Sequence, residues 1–491
     1  MKQWSIIAIA LYILILLIIG YYSYRKTSNL SDYMLGGRGL GPMVTALSAG
    51  ASDMSGWMLM GLPGAVYLTG LSSLWLGIGL TLGAYLNYRL LAPRFRIYTE
   101  IANNSLTVPD YLENRFRDKS NMLRLVSGIV ILVFFVLYVS SGIVAGGKLF
   151  EDTFKLTYTM GVVVTLSVVV LYTYFGGFLA VSLTDFFQGT LMFIALIIVP
   201  VVTFMNIGVD PGTFVNKIKD IDPSLFDIFR GTSIATIISL MAWGLGYFGQ
   251  PHIIVRFMAI RSAKELKSAR RIGITWMAIG LLGAVASGLT GLIYFTEHKT
   301  PLSDPETVFL RLGDILFHPF ITGIILAAVL AAIMSTISSQ LLVCSSSITR
   351  DFYLTFFNKE ASDKKQMLIG RLSVLVVAAF ATLLAYLPNK TILNIVGQAW
   401  AGFGSSFGPV LLLSLYWKRM TRWGALSGMV IGGSTVIIWI VSGLSSYLYE
   451  MIPGFSLSLI SVIVVSLMTE KPDESVNNDF STMSKILANM K

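Results

Sequence analysis

Gly41–Trp57 reads GPMVTALSAGASDMSGW, and this stretch decides how the chain folds. It lies within a long apolar run, yet small and polar residues crowd its middle, and the carboxylate of Asp53 stands among them. Glycine and serine weaken a helix locally, and a break frees backbone carbonyl groups to face a ligand. The stretch therefore predicts an interrupted helix that carries a binding site. The alternative is close packing of small residues against a neighbouring helix.

The composition of the whole chain sets the environment of this stretch. Of the 491 residues, 55% are hydrophobic and 13% are charged, and the charged share is about half that of a typical soluble domain. Apolar residues also run in long blocks such as Trp4–Ile19 and Met160–Val170. These features exclude a soluble enzyme and a disordered or fibrous chain, and they predict an all-α integral membrane protein. Because Trp4–Ile19 is too long for a signal-peptide core and no cleavage site follows it, we predict a retained helix.

The number of membrane crossings follows from the length of the apolar runs. A helix needs about 20 apolar residues to cross the hydrocarbon core. By that measure the sequence predicts about thirteen transmembrane helices, near residues 4–24, 42–68, 71–91, 125–147, 156–175, 183–205, 232–255, 272–295, 317–345, 369–387, 391–416, 423–443 and 451–468.

The positive charges indicate the orientation of these crossings, because cytoplasmic loops collect Lys and Arg. With the N-terminus outside, the inner segments hold 27 of the 36 Lys and Arg residues, against 13 acidic residues. These segments are 25–41, 89–124, 256–271, 346–371, 417–422 and the tail from 469. We therefore predict a multi-pass protein of the cell membrane with its N-terminus outside and its C-terminus in the cytoplasm. The net charge of +10 reflects this topology and not a nucleic-acid partner.

Two charged residues, Asp53 and Asp185, lie inside the predicted spans, and no Lys or Arg lies deep in any of them. A carboxylate at mid-membrane costs at least about 3 kcal/mol on insertion scales, so it usually has a cation partner or a function. The alternative is a protonated or hydrogen-bonded structural residue. The single cysteine, Cys344, excludes an internal disulfide, and three scattered histidines form no metal or catalytic cluster.

A second interruption is predicted in Trp243–His252, WGLGYFGQPH, where glycines and a proline break a span. Trp243 lies deeper than an interfacial aromatic belt requires, so we favour a substrate-lining role over a belt. The two interrupted spans are the second and the seventh, five helices apart. This spacing is typical of transporters built from two five-helix repeats of opposite orientation.

A third segment, Ala331–Gln340, places hydroxyl groups in the ninth span. Na⁺ is a hard cation and prefers oxygen ligands. Ser335, Thr336 and the carbonyl of Ala332 have the spacing to face one point. The alternative is the common bond from a Ser or Thr hydroxyl to the carbonyl at position i−4 of its own helix.

These segments resemble the sodium/solute symporter family, and the similarity runs over nearly the whole chain. The resemblance implies a leucine-transporter-type core of two inverted five-helix repeats at 42–205 and 232–416. An outer loop, 206–231, would join the repeats. Residues 1–41 would add one helix and an inner loop, and residues 417–491 two helices and a cytoplasmic tail. The resemblance is carried by Gly41–Ala65, Gly176–Asp185, Trp243–Met258 and Met334–Ser346.

Within the family the match is to the branch that imports L-proline with Na⁺ by alternating access, and it implies a role for individual residues. Na⁺ would bind the carbonyls of Ala51, Met54 and Ala332 and the hydroxyls of Ser335 and Thr336. Asp53 would support sodium coupling, Asp185 would lie on the ion path and Arg38 at the cytoplasmic entrance. Positions near bound proline would be Ser55, Gly56, Trp243, Tyr247 and Pro251. No enzymatic cofactor is implied, and the partners are L-proline, Na⁺ and the lipid bilayer.

Four other interpretations remain to be weighed at this point. The same scaffold could carry another small solute, such as a sugar, a vitamin or a different amino acid. A receptor or sensor could retain a transporter fold, although only about 22 residues follow the last predicted span. A channel is disfavoured because one Asp in one helix provides no ring of charges. An enzyme is disfavoured because the sequence offers no nucleophile–base pair.

Overall fold

The computed structural model describes residues 2–27, 29–230, 232–386 and 391–490. Within these ranges the chain is helical, and its one isolated β-bridge joins Leu40 to Ile260. The predicted all-α class is therefore confirmed. The predicted span 369–387 and the predicted outer loop 206–231 each end on a residue outside the described ranges, as do the two chain termini.

Ten helices form the first part of the chain, and they are α1 (Lys2–Tyr24), α2 (Leu30–Leu35), α3 (Pro42–Asp53), α4 (Leu62–Thr69), α5 (Leu74–Leu86), α6 (Ala92–Ile101), α7 (Val108–Phe116), α8 (Met122–Phe154), α9 (Tyr158–Ile207) and α10 (Pro211–Ile221). Ten more form the second part, and they are α11 (Ile234–Ala242), α12 (Pro251–Ala259), α13 (Leu266–Glu297), α14 (Val308–Leu316), α15 (Pro319–Ser346), α16 (Asp363–Ala385), α17 (Ile392–Tyr416), α18 (Arg422–Val441), α19 (Met451–Met468) and α20 (Glu474–Ala488).

In the part of the chain that the structure describes, nine helical segments are long and apolar enough to cross a membrane. Two shorter apolar helical segments, Tyr158–Tyr174 and Ile234–Gly249, accompany them. The first of these segments is part of α9, which continues through a kink at Gly177, whose φ is +59°. The number of membrane crossings is therefore difficult to count from the helices alone. A Cβ at Gly177 would lie 2.9 Å from the Tyr33 ring. Thirteen crossings stay a prediction.

Both predicted interruptions are present. Helix α3 ends at Asp53, and a short π-helical turn over Trp57–Gly61 precedes α4. Helix α11 ends at Ala242, and a 3₁₀ segment over Trp243–Gly249 leads through Gln250 to α12. Proline is favoured at the first turn of a helix because it has no N–H to satisfy there, and Pro251 opens α12 in this way.

Helix α15 passes through the centre of the bundle beside the first interruption. Its residues from Ile325 to Leu342 are all buried. Helix α12 and the segment before α3 meet at the β-bridge, where Leu40 N–H donates to Ala259 O at 3.1 Å and Arg261 N–H to Leu40 O at 3.0 Å. Backbone hydrogen bonds therefore connect the segments next to the two interruptions at one end of the bundle.

The predicted cytoplasmic tail contains a further helix, α20, that packs back onto the bundle. Val476 and Met483 on α20 are buried, and the Phe480 ring lies 6.4 Å from the Tyr98 ring of α6. Arg117 also pairs with Asp479 at 2.9 Å. The tail is therefore an ordered part of the protein and not only a link after the last crossing.

Candidate functional site

The first interruption exposes one backbone carbonyl to side chains from elsewhere in the bundle. Because the helix stops at Asp53, the carbonyl of this residue is free to accept the indole N–H of Trp57 at 3.1 Å. The hydroxyl of Tyr138 on α8 donates to the same oxygen at 3.4 Å. The Ser55 N–H donates to this oxygen as well, at 2.9 Å. A membrane interior supplies no water for freed carbonyls, so this backbone bond and the two side chains together replace the lost helical bond.

The Asp53 carboxylate links the two interruptions directly. Its Oδ2 accepts a short hydrogen bond from the Tyr247 hydroxyl. The side chain is buried, with 2% of the residue exposed. Among the described residues Oδ1 has no hydrogen-bond partner. Asp53 is therefore a buried carboxylate that a single hydroxyl donor satisfies only in part.

The second interruption is held by Trp400 of α17. Its indole N–H donates to the Trp243 carbonyl at 2.7 Å, and its carbonyl accepts from the Gln250 side chain at 3.1 Å. A Cβ at Gly246 would lie 2.0 Å from the Trp400 Nε1, so only glycine permits this approach. The Tyr247 ring meets Trp400 edge-on at 5.1 Å. Trp400 thereby orients the tyrosine that contacts Asp53.

Four of the five predicted sodium ligands converge. The Ser335 hydroxyl lies 2.7 Å from the Ala51 carbonyl and 3.2 Å from the Ala332 carbonyl, and the Thr336 hydroxyl lies 3.4 Å from Ala51 O. All four residues are buried. Two carbonyl and two hydroxyl oxygens gathered in a buried place form a donor set that suits a hard cation such as Na⁺.

Met54, the fifth predicted ligand, lies just beyond the end of α3. Its N–H still donates to Gly50 O at 2.8 Å, and its ψ of 76° turns the chain away from the helix. The residue is fully buried. It is one helical turn from Ala51 along the chain, and its part in ion binding stays a prediction.

The predicted substrate residues lie in four different places. Ser55 is buried in the first interruption, and a Cβ at Gly56 would lie 2.8 Å from that of Ala145. Tyr247 lies against Asp53, as described above. Trp243 borders a cavity at one end of the bundle, whereas Pro251 borders a different small cavity with Phe178 and Ile131. The structure thus brings Tyr247 to Asp53, and it separates Trp243 from Pro251.

Asp185 has a partner that the sequence reasoning missed. Its Oδ2 lies 3.0 Å from the Arg256 guanidinium and accepts the Ser48 hydroxyl at 2.7 Å. Arg256 also donates to Ser48 Oγ at 3.0 Å and to Ser339 Oγ at 2.5 Å. Both charged side chains have no exposed surface. The expectation that no Lys or Arg lies deep among the helices is therefore wrong.

The predicted end of the span at residue 255 explains this error. Arg256 lies one residue past the predicted span 232–255, in the segment 256–271 that the charge pattern assigns to an inner loop. In the structure α12 continues to Ala259, so Arg256 stays inside the bundle. A buried carboxylate is stable when a cation and further hydrogen bonds satisfy it. The presence of Asp185 was itself the signal that such a partner existed.

Arg38 joins three segments at the end of the bundle where the β-bridge lies. Its guanidinium donates to Met258 O at 2.7 Å, to Ser105 O at 2.8 Å and to the Asn104 side chain at 3.0 Å. Partial burial and the nearby Arg96 lower the pKa of Arg38 to about 10, so it stays charged at neutral pH. It does not contact Asp185 or the oxygen cluster in this structure.

Solved structures with the same architecture identify the fold. A Na⁺-coupled sialic acid symporter in a substrate-bound, outward-open state matches with a TM-score of 0.82, covering 96% of this chain and 99% of its own at 19% identity. MhsT in complex with L-phenylalanine matches with a TM-score of 0.55, covering 87% of this chain and 97% of its own at 14% identity. The fold, with its two interrupted helices, is that of the leucine-transporter class of secondary transporters.

Sequence comparison then identifies the family. The profile of the sodium:solute symporter family matches residues 33–432, and the chain belongs to that family. Proteins of Bacillus subtilis named osmoregulated proline transporter OpuE and high-affinity proline transporter PutP are 57% and 60% identical to it. The OpuE alignment covers 99% of both chains, and the PutP alignment covers 95% of this chain and 98% of PutP. A sodium/proline symporter of Staphylococcus aureus is 56% identical, covering 98% of this chain and 96% of its own.

Family membership confirms several predictions made from the sequence. The protein is a multi-pass membrane transporter with Na⁺ as its coupling ion, and it is not an enzyme. Its location is the cell membrane. The resemblance drawn from the four sequence blocks is likewise confirmed.

The Asp185–Arg256 pair yields a first prediction. Arg256→Gln leaves a buried carboxylate without its cation, and removing one partner of such a pair costs about 3 to 5 kcal/mol. We expect a marked fall in the melting temperature of the purified protein. Asp185→Asn combined with Arg256→Gln should recover much of that loss.

The matched control is Arg261→Gln, which breaks the exposed pair with Glu265. Exposed pairs contribute about 0 to 1 kcal/mol, so this variant should melt close to the wild type. Equal destabilisation by Arg256→Gln and Arg261→Gln, or no recovery in the double variant, would contradict a stabilising buried pair.

Proposed function

We propose that this protein imports L-proline together with Na⁺ across the cell membrane by alternating access. Relatives named as proline transporters, 57% and 60% identical to this chain over nearly its whole length, carry the proposal. The buried oxygen cluster beside the first interruption supports the coupling to Na⁺. It joins α3 to α15, so an ion bound there would hold these two helices together.

The sodium site in this proposal consists of the carbonyls of Ala51, Met54 and Ala332 with the hydroxyls of Ser335 and Thr336. The Ser335 hydroxyl now donates to the Ala51 carbonyl. A bound cation would accept lone pairs from both oxygens, and the hydroxyl hydrogen would turn elsewhere. Asp53 is two residues from Ala51, and its carboxylate would favour a cation in this cluster through charge alone.

The substrate site in this proposal consists of Ser55, Gly56, Trp243, Tyr247 and Pro251. Proline combines an apolar ring with a carboxylate and a protonated secondary amine. Aromatic faces suit the ring, and the polar groups need a few fixed partners. The Tyr247 hydroxyl donates to the Asp53 carboxylate. A substrate in contact with Tyr247 would therefore interact with the same carboxylate that attracts the ion.

The free energy of one sodium ion is sufficient for uptake from dilute medium. Moving one positive charge inward through a membrane potential of about 100 mV releases about 2.3 kcal/mol. Since about 1.4 kcal/mol corresponds to a tenfold ratio, this supports a roughly 50-fold gradient of proline. A sodium concentration gradient would add to it.

The remaining assignments extend the proposal to the rest of the chain. The core consists of inverted repeats at 42–205 and 232–416, joined by 206–231, with 1–41 and 417–491 outside the core. Asp185 lies on the ion path, since its partner Ser48 is one helical turn from Ala51. Its other partner, Arg256, donates to Ser339, which is one helical turn from Ser335. Arg38 lies at the cytoplasmic entrance.

Uptake of radiolabelled L-proline into proteoliposomes tests the function. We expect accumulation that requires an inward Na⁺ gradient and that excess unlabelled proline abolishes. Liposomes without protein and an equal K⁺ gradient are the controls. Sodium-driven current without proline uptake would show that the protein carries another solute. If folded protein gave neither proline uptake nor sodium-driven current, the result would favour a sensor.

Ser335→Ala tests the sodium site in the same assay. Losing one oxygen ligand should raise the Na⁺ concentration for half-maximal uptake about tenfold, the effect of losing about 1.4 kcal/mol of binding. Ser345→Ala on the same helix is the matched control, because the Ser345 hydroxyl donates to Gly370 O away from the cluster. A normal Na⁺ response in Ser335→Ala would remove this hydroxyl from the site.

Cysteine labelling tests the orientation proposed from the charges. In a Cys344→Ser background, Asp220→Cys and Thr482→Cys each place a thiol at an exposed position. We expect a membrane-impermeant maleimide to label Asp220→Cys in intact cells and Thr482→Cys only after permeabilisation. The opposite pattern would place the C-terminus outside.

A further inference from the structure

A cavity of about 20 Å³ lies beside Asp53, between α3, α5, α12 and α13. Four residues that border it carry polar side chains, namely Asp53, Asn87, Tyr88 and Tyr247, and the others are apolar residues or glycine. A space of about 10–15 Å³ is sufficient for one water molecule. This space, which we call the Asp53 cavity, therefore holds one water molecule or one ion of similar size, and not an amino acid.

The polar groups on the Asp53 cavity outnumber their partners in the protein. Four buried atoms have no hydrogen-bond partner among the described residues, and they are Asp53 Oδ1, both polar side-chain atoms of Asn87 and the Tyr88 hydroxyl oxygen. Asn87 is 1% exposed and Tyr88 is 6% exposed. Buried polar groups in folded proteins almost always have a partner, which can be an ordered water. Four unpaired atoms around one small cavity therefore indicate a polar occupant.

Close packing of α5 on the second interruption places Asn87 at this cavity. A Cβ at Gly79 would lie 2.5 Å from Met241 O, and a Cβ at Gly83 would lie 2.1 Å from Gly244 O. Only glycine permits such an approach of two backbones. Asn87 follows Gly83 by one helical turn, on the same face of the helix. A π-helical turn begins at Asn87, and such turns are frequent at functional sites.

The hydrogen-bonding groups on the cavity match a water molecule better than a sodium ion. An ionised Asp53 only accepts hydrogen bonds, whereas the Asn87 amide has both donors and an acceptor, and the Tyr88 hydroxyl can donate. A water molecule can donate to Asp53 Oδ1 and accept from the Asn87 amide and the Tyr88 hydroxyl. A sodium ion would bind the oxygen atoms but would leave the Asn87 N–H groups without an acceptor.

We propose that one water molecule binds in the Asp53 cavity and that Asn87 positions the Asp53 carboxylate through it. The water donates to Oδ1, while the Tyr247 hydroxyl donates to Oδ2. With a donor on each oxygen, the carboxylate is held in one orientation at the end of α3. Because the charge of Asp53 favours Na⁺ in the proposed sodium site, Asn87 is a positioning residue for sodium binding. This last step rests on the proposed function.

Equilibrium binding of radioactive Na⁺ to the purified full-length protein, without proline, tests the proposal. Asn87→Leu keeps the branched shape of the side chain and removes its polar atoms. We expect one bound Na⁺ in the wild type and in the variant. The affinity of the variant should be about tenfold weaker, the usual effect of losing a hydrogen bond to a charged group.

Three further variants keep the result interpretable. Tyr88→Phe removes only the hydroxyl and keeps the ring that meets Phe257 edge-on at 4.7 Å, so it should weaken Na⁺ binding less, by about fivefold. Asn87→Ser retains a hydroxyl and leaves room for a second water, so it should recover most of the affinity. Thr81→Val on the same helix is the matched control, because the Thr81 hydroxyl donates to Gly77 O of its own helix at 2.8 Å. Its Na⁺ binding should equal that of the wild type.

A double-mutant cycle with Asp53→Asn separates positioning of the carboxylate from a general structural role. Asp53→Asn should weaken Na⁺ binding by itself. In that background Asn87→Leu should add little, because the carboxylate that Asn87 positions is no longer present. Effects that simply add would show that the two side chains act independently, and they would overturn the positioning role. An unchanged Na⁺ affinity in both Asn87→Leu and Tyr88→Phe would overturn it as well.

The number of bound ions distinguishes the possible occupants of the cavity. Two Na⁺ in the wild type and one in Asn87→Leu would overturn the water and assign the cavity to a cation. The proposed function fails differently, in the uptake assay. Na⁺ binding that depends on Asn87, together with no uptake of proline, would overturn proline as the solute and retain the role of Asn87. Folded wild-type protein that binds no Na⁺ would overturn both.

Discussion

The structure depends on satisfying the backbone groups that two interrupted helices leave unpaired inside the bundle. Lipid offers these groups no hydrogen bonds, so side chains must supply them. The side chains of Trp57 and Tyr138 donate hydrogen bonds to the Asp53 carbonyl. The Trp400 indole donates to the Trp243 carbonyl, and the Ser335 hydroxyl donates to the Ala51 carbonyl. Each donor except Trp57 comes from a different helix. The same bonds that stabilise the interruptions therefore connect α8, α15 and α17 to them.

This constraint also explains how ion and solute can influence each other. Ala51 faces Ser335 on α15, and Asp53, two residues later, faces Tyr247 in the other interruption. Both contacts are therefore made by the last turn of α3, and a change at either would act on that turn. Coupling between two sites needs an element whose arrangement both can bias. The last turn of α3 is such an element, since the proposed ion cluster and the proposed solute site share it.

The sequence was most informative where the determinants are local. Both interruptions were predictable because Gly, Ser and Pro act on their own stretch of helix, and the Ser335–Thr336 pair because its spacing is a helical one. It was least informative where partners are distant. Arg256 and Asp185 are 71 positions apart, and their pairing follows from packing alone. Tyr449 lies outside the proposed repeats, and its ring stacks on the Trp243 ring. No local sequence pattern predicts that contact.

The two buried carboxylates, Asp53 and Asp185, are satisfied differently, and this difference would favour a cation at the proposed sodium site. Asp185 has a tethered cation, so the Asp185–Arg256 pair is neutral overall. Asp53 has a hydroxyl donor on one oxygen and, among the described residues, no donor on the other. A buried carboxylate in that position is stabilised by any nearby positive charge. The proposed sodium site around Ala51 and Ser335 would offer such a charge oxygen ligands two residues along the chain from Asp53. An ion bound there would stabilise, through its charge, a carboxylate whose Oδ1 has no hydrogen-bond donor among the described residues.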